Sequence, residues 1–221
     1  MSIRENIEKI KSSLPENVTL VAVSKFHPIE AIQEAYDAGQ RIFGESRVQE
    51  LTAKQPILPA DIEWHFIGTL QRNKVKYIAP FIHTIQSIDS IDLLTEVDKY
   101  AAKNDRVIRV LIEVHIASES SKHGFSMDEC RTFFLEKHWN TYPNVSICGL
   151  MGMATFTDDT DQIQREFHSL YELFSEIKST NDVCNNFAEL SLGMSDDYLI
   201  ALQNGSTMVR IGSSIFGERV Y

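Results

Sequence analysis

Short apolar runs alternate with stretches of helical periodicity along the whole 221-residue chain, and this alternation restricts the fold more than any other feature. The runs fall at 18–24, 41–43, 63–67, 84–87, 107–115, 146–152, 188–192 and 207–211. Several are nearly unbroken, such as Leu20-Val21-Ala22-Val23, as expected for parallel strands covered on both faces. Between them apolar residues return every three or four positions. In Ile163, Phe167, Leu170, Phe174 and Ile177 the stripe persists for about four turns. Further helices are predicted near 29–38, 46–54, 71–79, 91–103, 127–138 and 196–204, with an extra one at 3–13 before the first strand. Gly39 and Gly205 stand just past two of these helices, where a left-handed residue is wanted, and Asp89 or Ser90 caps the helix that begins at Ile91. No linker or low-complexity tract divides the chain. The expectation is an α/β fold, one (β/α)8 barrel of the TIM type over residues 1–221 with an additional N-terminal helix. A doubly wound open sheet is the alternative, since a strand more or less changes the count.

Charge excludes some partners. Lys and Arg number 21 against 31 Asp and Glu, a formal net charge of −10, which argues against non-specific binding to nucleic acid or anionic membranes. No apolar run approaches the roughly 18–20 residues of a membrane span. Met1-Ser2-Ile3-Arg4-Glu5 carries charge where a secretory leader is apolar, so a cytoplasmic protein is expected. Cys130, Cys148 and Cys184 are odd in number and lack CxxC spacing, which suits neither a disulfide framework nor a zinc site. Cys148 reads as a small core residue. The seven histidines show no HxH or HExxH, and no metal is expected.

A barrel carries its chemistry on the loops that follow its strands. Lys25 ends the first apolar strand, where partial desolvation would favour the neutral amine that attacks a carbonyl; the plainer reading is a lysine snorkelling at a strand exit. Gly193-Met194-Ser195 follows the seventh strand and opens a helix, and Gly212-Ser213-Ser214 follows the eighth. Glycine lets backbone N–H groups approach an anion and serine adds a donor, so the two loops together suggest phosphate, although each alone is ordinary turn chemistry. Arg210 lies inside the apolar strand Met208-Val209-Arg210-Ile211. It either pairs with a carboxylate such as Glu45 or Asp196, or donates to the ring nitrogen of a heterocycle. His65 reads as a hydrogen-bonded core histidine, the cluster Arg72, Lys74 and Lys76 as a solvated helix face, and the loop around Lys122 as a surface loop or a cover for the barrel mouth.

Five ordered segments then resemble one family: 20–25 (LVAVSK), 39–50 (GQRIFGESRVQE), 64–74 (WHFIGTLQRNK), 119–125 (ESSKHGF) and 190–219 (LSLGMSDD…GSTMVRIGSSIFGER). They closely resemble the pyridoxal phosphate homeostasis protein family, small relatives of the alanine racemase barrel. The resemblance implies pyridoxal 5′-phosphate (PLP) held as an aldimine on Lys25, with Arg210 at the pyridine nitrogen and Ser195, Gly212 and Ser213 around the phosphate. Where the family usually reads FGENYVQE, this chain has Ser46 and Arg47, so that the Ser46 hydroxyl would take the place of an asparagine amide. The implied function is buffering or delivery of PLP, as a monomer that serves PLP-dependent apo-enzymes, without catalysis. A PLP-dependent amino-acid racemase is the alternative, and a Schiff-base aldolase a third. Related racemases carry a further β-domain that supplies a tyrosine base, and this chain stops at Tyr221, just beyond the eighth strand.

Overall fold

The apolar runs do become strands, and they close on themselves. The structure, a computed structural model, describes residues 2–118, 123–180 and 186–217. In order, its elements are α1 (Ile3–Ser13), β1 (Thr19–Val23), α2 (Ile29–Asp37), β2 (Ile42–Glu45), α3 (Val48–Lys54), β3 (Glu63–Phe66), α4 (Val75–Ile78), β4 (Thr84–Ile88) and α5 (Ile91–Lys103). There follow β5 (Ile108–Glu113), α6 (Met127–Leu135), β6 (Val145–Met151), α7 (Thr160–Ser179), β7 (Glu189–Ser191), α8 (Tyr198–Gln203), β8 (Met208–Ile211) and α9 (Ser213–Phe216). Each strand pairs in parallel with its sequence neighbours, and β1 pairs with β8 through Thr19–Met208 to Ala22–Ile211, which closes an eight-stranded barrel. Lys122, Cys184, Arg219 and Tyr221 lie outside the described residues, as does part of the segment 119–125.

Strand alternation sorts the side chains into two layers. Leu20 and Ala22 of β1, Phe43 of β2 and Val110 and Ile112 of β5 face the helices and join one large apolar core. Val21, Leu111, Cys148, Met151 and Met208 form a second, smaller cluster inside the barrel. Burial of each large side chain contributes roughly 1.5–3 kcal/mol, enough to fix which face of every strand points inward.

Helix ends follow the local chemistry. Ser2 caps α1 and Ser126 caps α6, each in a reciprocal capping box with the glutamate three residues on. Ser90, rather than Asp89, caps α5 through the Leu93 amide. Gly39 and Gly205 take φ of 88° and 76°, as their C′ positions require. Several helices depart from the pattern. The predicted 46–54 helix starts at Val48, because Arg47 stays extended at φ −126°. The predicted 71–79 helix divides into a 3-10 turn at Arg72–Lys74 and α4. The predicted 127–138 helix ends at Leu135; Lys137 is left-handed at φ 57° and a 3-10 turn follows at His138–Thr141, with Trp139 and Tyr142 packed on the core. Tertiary packing there overrides the periodicity.

Candidate functional site

Lys25 stands half-buried in the turn directly after β1, and the backbone on both sides of it is clamped. The Ser24 carbonyl accepts from Lys54 Nζ at 2.9 Å, and the Phe26 amide donates to Glu50 Oε1 at 2.6 Å. Phe26 is left-handed at φ 67°, a conformation that costs an L-residue roughly 1–2 kcal/mol, so these bonds must hold it in place. The clamp has an ionic centre. Lys54 Nζ lies 2.8 Å from Glu45 Oε1 and 2.6 Å from Glu50 Oε1, and the Ser24 hydroxyl donates to the same Glu45 oxygen at 2.6 Å. Glu45 is fully buried; burial pushes its carboxyl above the usual range while Lys54 pulls it down.

The loops after β7 and β8 meet beside this turn. The Gly212 amide donates to Ser195 Oγ at 3.3 Å, and the Arg210 amide donates to the Gly193 carbonyl at 3.0 Å. A side chain at Gly212 would place its Cβ 3.2 Å from the Val23 carbonyl oxygen, so the Gly212 backbone lies against the end of β1, two residues from Lys25. Ser213 is exposed at the start of α9, and Ser195 is half-buried. The residues 194–197 form a turn, not the start of a helix; α8 begins at Tyr198, because the Asp197 carboxylate takes the Met194 amide at 2.5 Å. Ser46 lies on the same rim after β2, its backbone so close to Gly68 that a Cβ there would sit 2.4 Å from the Ser46 carbonyl.

Arg210 corrects one expectation. It pairs with neither Glu45 nor Asp196: Glu45 is taken by Lys54, and Asp196 is exposed on the loop. Instead Arg210 Nη1 donates to the Ser191 carbonyl at 3.0 Å and the Ser191 hydroxyl at 2.6 Å, and Nη2 donates to the Gly152 carbonyl at 3.0 Å. Three of the five N–H groups of a guanidinium are thereby used, and two remain for a ligand. Burial pulls the Arg210 guanidinium down to about 10, so it remains charged at neutral pH. Glu113, buried on the inner face of β5, is pushed up to about 7, chiefly by burial and then by the neighbouring Asp89, against the pull of Arg210.

From Arg210 a polar chain crosses the barrel. The Ser191 hydroxyl donates to Gln86 Oε1 at 2.8 Å, and Gln86 Nε2 meets His65 Nδ1 at 2.8 Å. His65 is the hydrogen-bonded core histidine the sequence suggested, and Cys148 is buried as expected. Arg72 pairs with Asp92 on the surface, and Lys74 and Lys76 lie against Tyr77, as a solvated face would. Lys54, Ser191 and Gln86 escaped the sequence reading. For Lys54 the i, i+4 pair with Glu50 was a visible sign; Ser191 and Gln86 have no linear signature.

Comparison with known proteins agrees with this architecture. The family profile described as alanine racemase, N-terminal domain, matches residues 1–220. The pyridoxal phosphate homeostasis protein of Aquifex aeolicus is 39% identical over 91% of this chain and 87% of its own length. Structures of PipY from Synechococcus elongatus superpose with TM-scores of 0.91 without PLP and 0.88 with PLP bound, at 35% and 34% identity, covering 98% of this chain and all of PipY. An alanine racemase of Clostridium difficile shares the fold alone, at a TM-score of 0.78 and 14% identity, over 98% of this chain and 56% of the racemase. With a lysine at the end of β1, glycine-serine loops after β7 and β8 and relatives aligned over nearly the whole chain, this protein belongs to the pyridoxal phosphate homeostasis protein family.

Proposed function

We propose that this chain binds pyridoxal 5′-phosphate across residues 1–221 as one domain and serves PLP homeostasis, holding the cofactor without turning over substrate. The observation that carries the reading is the convergence of Lys25, the Ser195–Gly212 loop contact and a buried Arg210 with two N–H groups to spare on one rim of the barrel. The donor set fits the cofactor: an amine for its aldehyde, backbone amides and hydroxyls for its phosphate, and a fixed cation for its ring nitrogen. When bound, the cofactor supplies an electrophilic aldehyde and an electron-accepting ring. Lys25 provides the amine that attaches to it, and the Lys54–Glu50 clamp fixes where that amine stands. Gly212, Ser213 and Ser195 hold the phosphate, each charge-assisted bond contributing roughly 1.5–3 kcal/mol. Ser46 contributes a hydroxyl from the end of β2.

Arg210 sets the limit on chemistry. A guanidinium donating to the ring nitrogen keeps that nitrogen unprotonated and blunts the ring as an electron sink, which disfavours proton removal from a bound amino acid. The reading extends to a cytoplasmic monomer that hands PLP to PLP-dependent apo-enzymes; among the described residues no helix is long and apolar enough to cross a membrane.

Borohydride reduction of the PLP-loaded protein, followed by peptide mapping, tests the proposal: the pyridoxyl group is expected on Lys25 and absent in Lys25→Ala. An adduct confined to other lysines overturns it. Incubation with L- and D-amino acids in heavy water tests the absence of turnover. Cα deuteration at roughly 1–1000 per second, lost in Lys25→Ala, would establish an enzyme instead.

A further inference from the structure

The rim opposite Lys25 holds a second cluster, and it consists of metal-ligating groups. Glu63 opens β3, His65 follows two residues on along the same face, and His83 directly precedes β4. One ligand atom from each of the three lies within 4.8 Å of the other two. The two imidazole rings stack with centroids 5.6 Å apart and planes 6° from parallel, and His83 Nε2 lies 3.5 Å from Glu63 Oε2.

The second observation is an unused nitrogen. His65 is only 2% exposed, its Nδ1 is taken by Gln86, and its Nε2 is buried without any hydrogen-bond partner. Buried polar atoms left so are rare and call for an explanation. His83 is held in the same manner, its Nδ1 against the Thr84 hydroxyl at 2.9 Å, which also leaves Nε2 as the available atom. Imidazole ligands oriented through the opposite ring nitrogen are the usual arrangement around a bound transition metal.

We propose that Glu63, His65 and His83 form a binding site for a divalent transition metal, zinc(II) foremost, with solvent completing the coordination. Two imidazoles and a carboxylate suit zinc and its neighbours rather than magnesium or calcium. Ligands around tetrahedral zinc stand about 3.4 Å apart at bond lengths near 2.0–2.1 Å. Rotation of the half-exposed Glu63 and His83 side chains, 46% and 38% exposed, closes the remaining distance. Glu189 adds negative charge nearby, while Arg109, its ion-pair partner, and Arg106 oppose a dication. Binding is therefore expected in the micromolar range, weaker than at closed structural zinc sites.

Occupancy would reach across the barrel. Ligation through His65 Nε2 places the ring proton on Nδ1, which must then donate to the Gln86 amide oxygen. That amide turns over, and Ser191, now receiving from both Gln86 and Arg210, loses its present acceptor.

The test uses the full chain, stripped of metal by a chelator and titrated with Co2+ while visible absorbance is followed, then with Zn2+ as competitor. One saturable site per chain is expected, with cobalt displaced by zinc. Glu63→Gln and His83→Gln, both at half-exposed positions, should each weaken binding at least about tenfold while leaving thermal unfolding of the metal-free protein unchanged. His168→Gln, on the surface of α7, should leave affinity within about twofold, and Lys25→Ala should leave the site intact whatever becomes of the cofactor. Absence of a saturable site below millimolar metal, or affinity indifferent to Glu63→Gln and His83→Gln, overturns the proposal.

Discussion

Replacing Lys54 by methionine removes an ammonium that is only 7% exposed and leaves Glu45, 0% exposed, with one remaining partner, the Ser24 hydroxyl. The second oxygen of Glu45 has no partner even in the intact protein. Breaking a buried pair by removing one member costs about 3–5 kcal/mol, because the other charge stays behind. Glu45 can limit that loss by taking up a proton, since burial already raises its carboxyl in the folded state. A carboxyl raised on folding keeps its proton in both states at low pH, and the loss grows as pH climbs from the unfolded toward the folded value. Lys54→Met is thus expected to lose about 3–5 kcal/mol at about pH 7.5 and clearly less at about pH 5. Lys54→Met combined with Glu45→Leu removes both charges and should recover stability to within about 1–2 kcal/mol of the parent. Urea unfolding with linear extrapolation at both pH values measures all three proteins. A single-variant loss below about 1 kcal/mol at the higher pH, or one of equal size at the lower pH, would refute the reasoning. The single variant should also bind PLP less tightly, because the Ser24 carbonyl beside Lys25 keeps only the His27 amide of its two donors.

Glu113→Gln should stabilise the protein by up to about 3 kcal/mol at about pH 8 and do little at about pH 4.5, since Glu113 is raised to about 7 when folded and must be ionised above that. Melting temperatures across that range check the slope, and a gain independent of pH would show that charge is not its cause. Gly149→Ala would set a Cβ 1.7 Å from the Glu189 carbonyl oxygen, between β6 and β7; a loss of several kcal/mol or failure to fold is expected by thermal melting, and a protein of parental stability contradicts it. Ser195→Ala removes the acceptor of the Gly212 amide and one hydroxyl from the proposed phosphate site. PLP affinity should fall about tenfold by titration, with the borohydride adduct still on Lys25, and unchanged affinity would place the phosphate elsewhere.

Short apolar runs and period-3.6 patterns located the eight strands of the barrel and most of its helices, because burial in a barrel with a helical coat is repetitive and shows in linear order. The strand-end positions of Lys25 and of the loops at Ser195 and Gly212 were legible for a related reason: an unusual residue after an apolar run is conspicuous in a single line of sequence. What stayed hidden is what forms between strands. Arg210 finds Ser191 and the Gly152 carbonyl across the inner wall, contacts that no spacing encodes. The trio Glu63, His65 and His83 shows the same limit, because searches for HxH or HExxH cannot see ligands shared by neighbouring strands.

Engineers commonly treat a barrel as two separable modules, one rim tuned for function and the other for robustness. The chain of bonds from Arg210 through Ser191 and Gln86 to His65 removes that separability here. A stabilising redesign of the far rim that replaced His65 with an aliphatic residue would strand the Gln86 amide, free it to rotate, and loosen the hydroxyl that seats Arg210. Redesign of this scaffold therefore has to treat both rims as one unit.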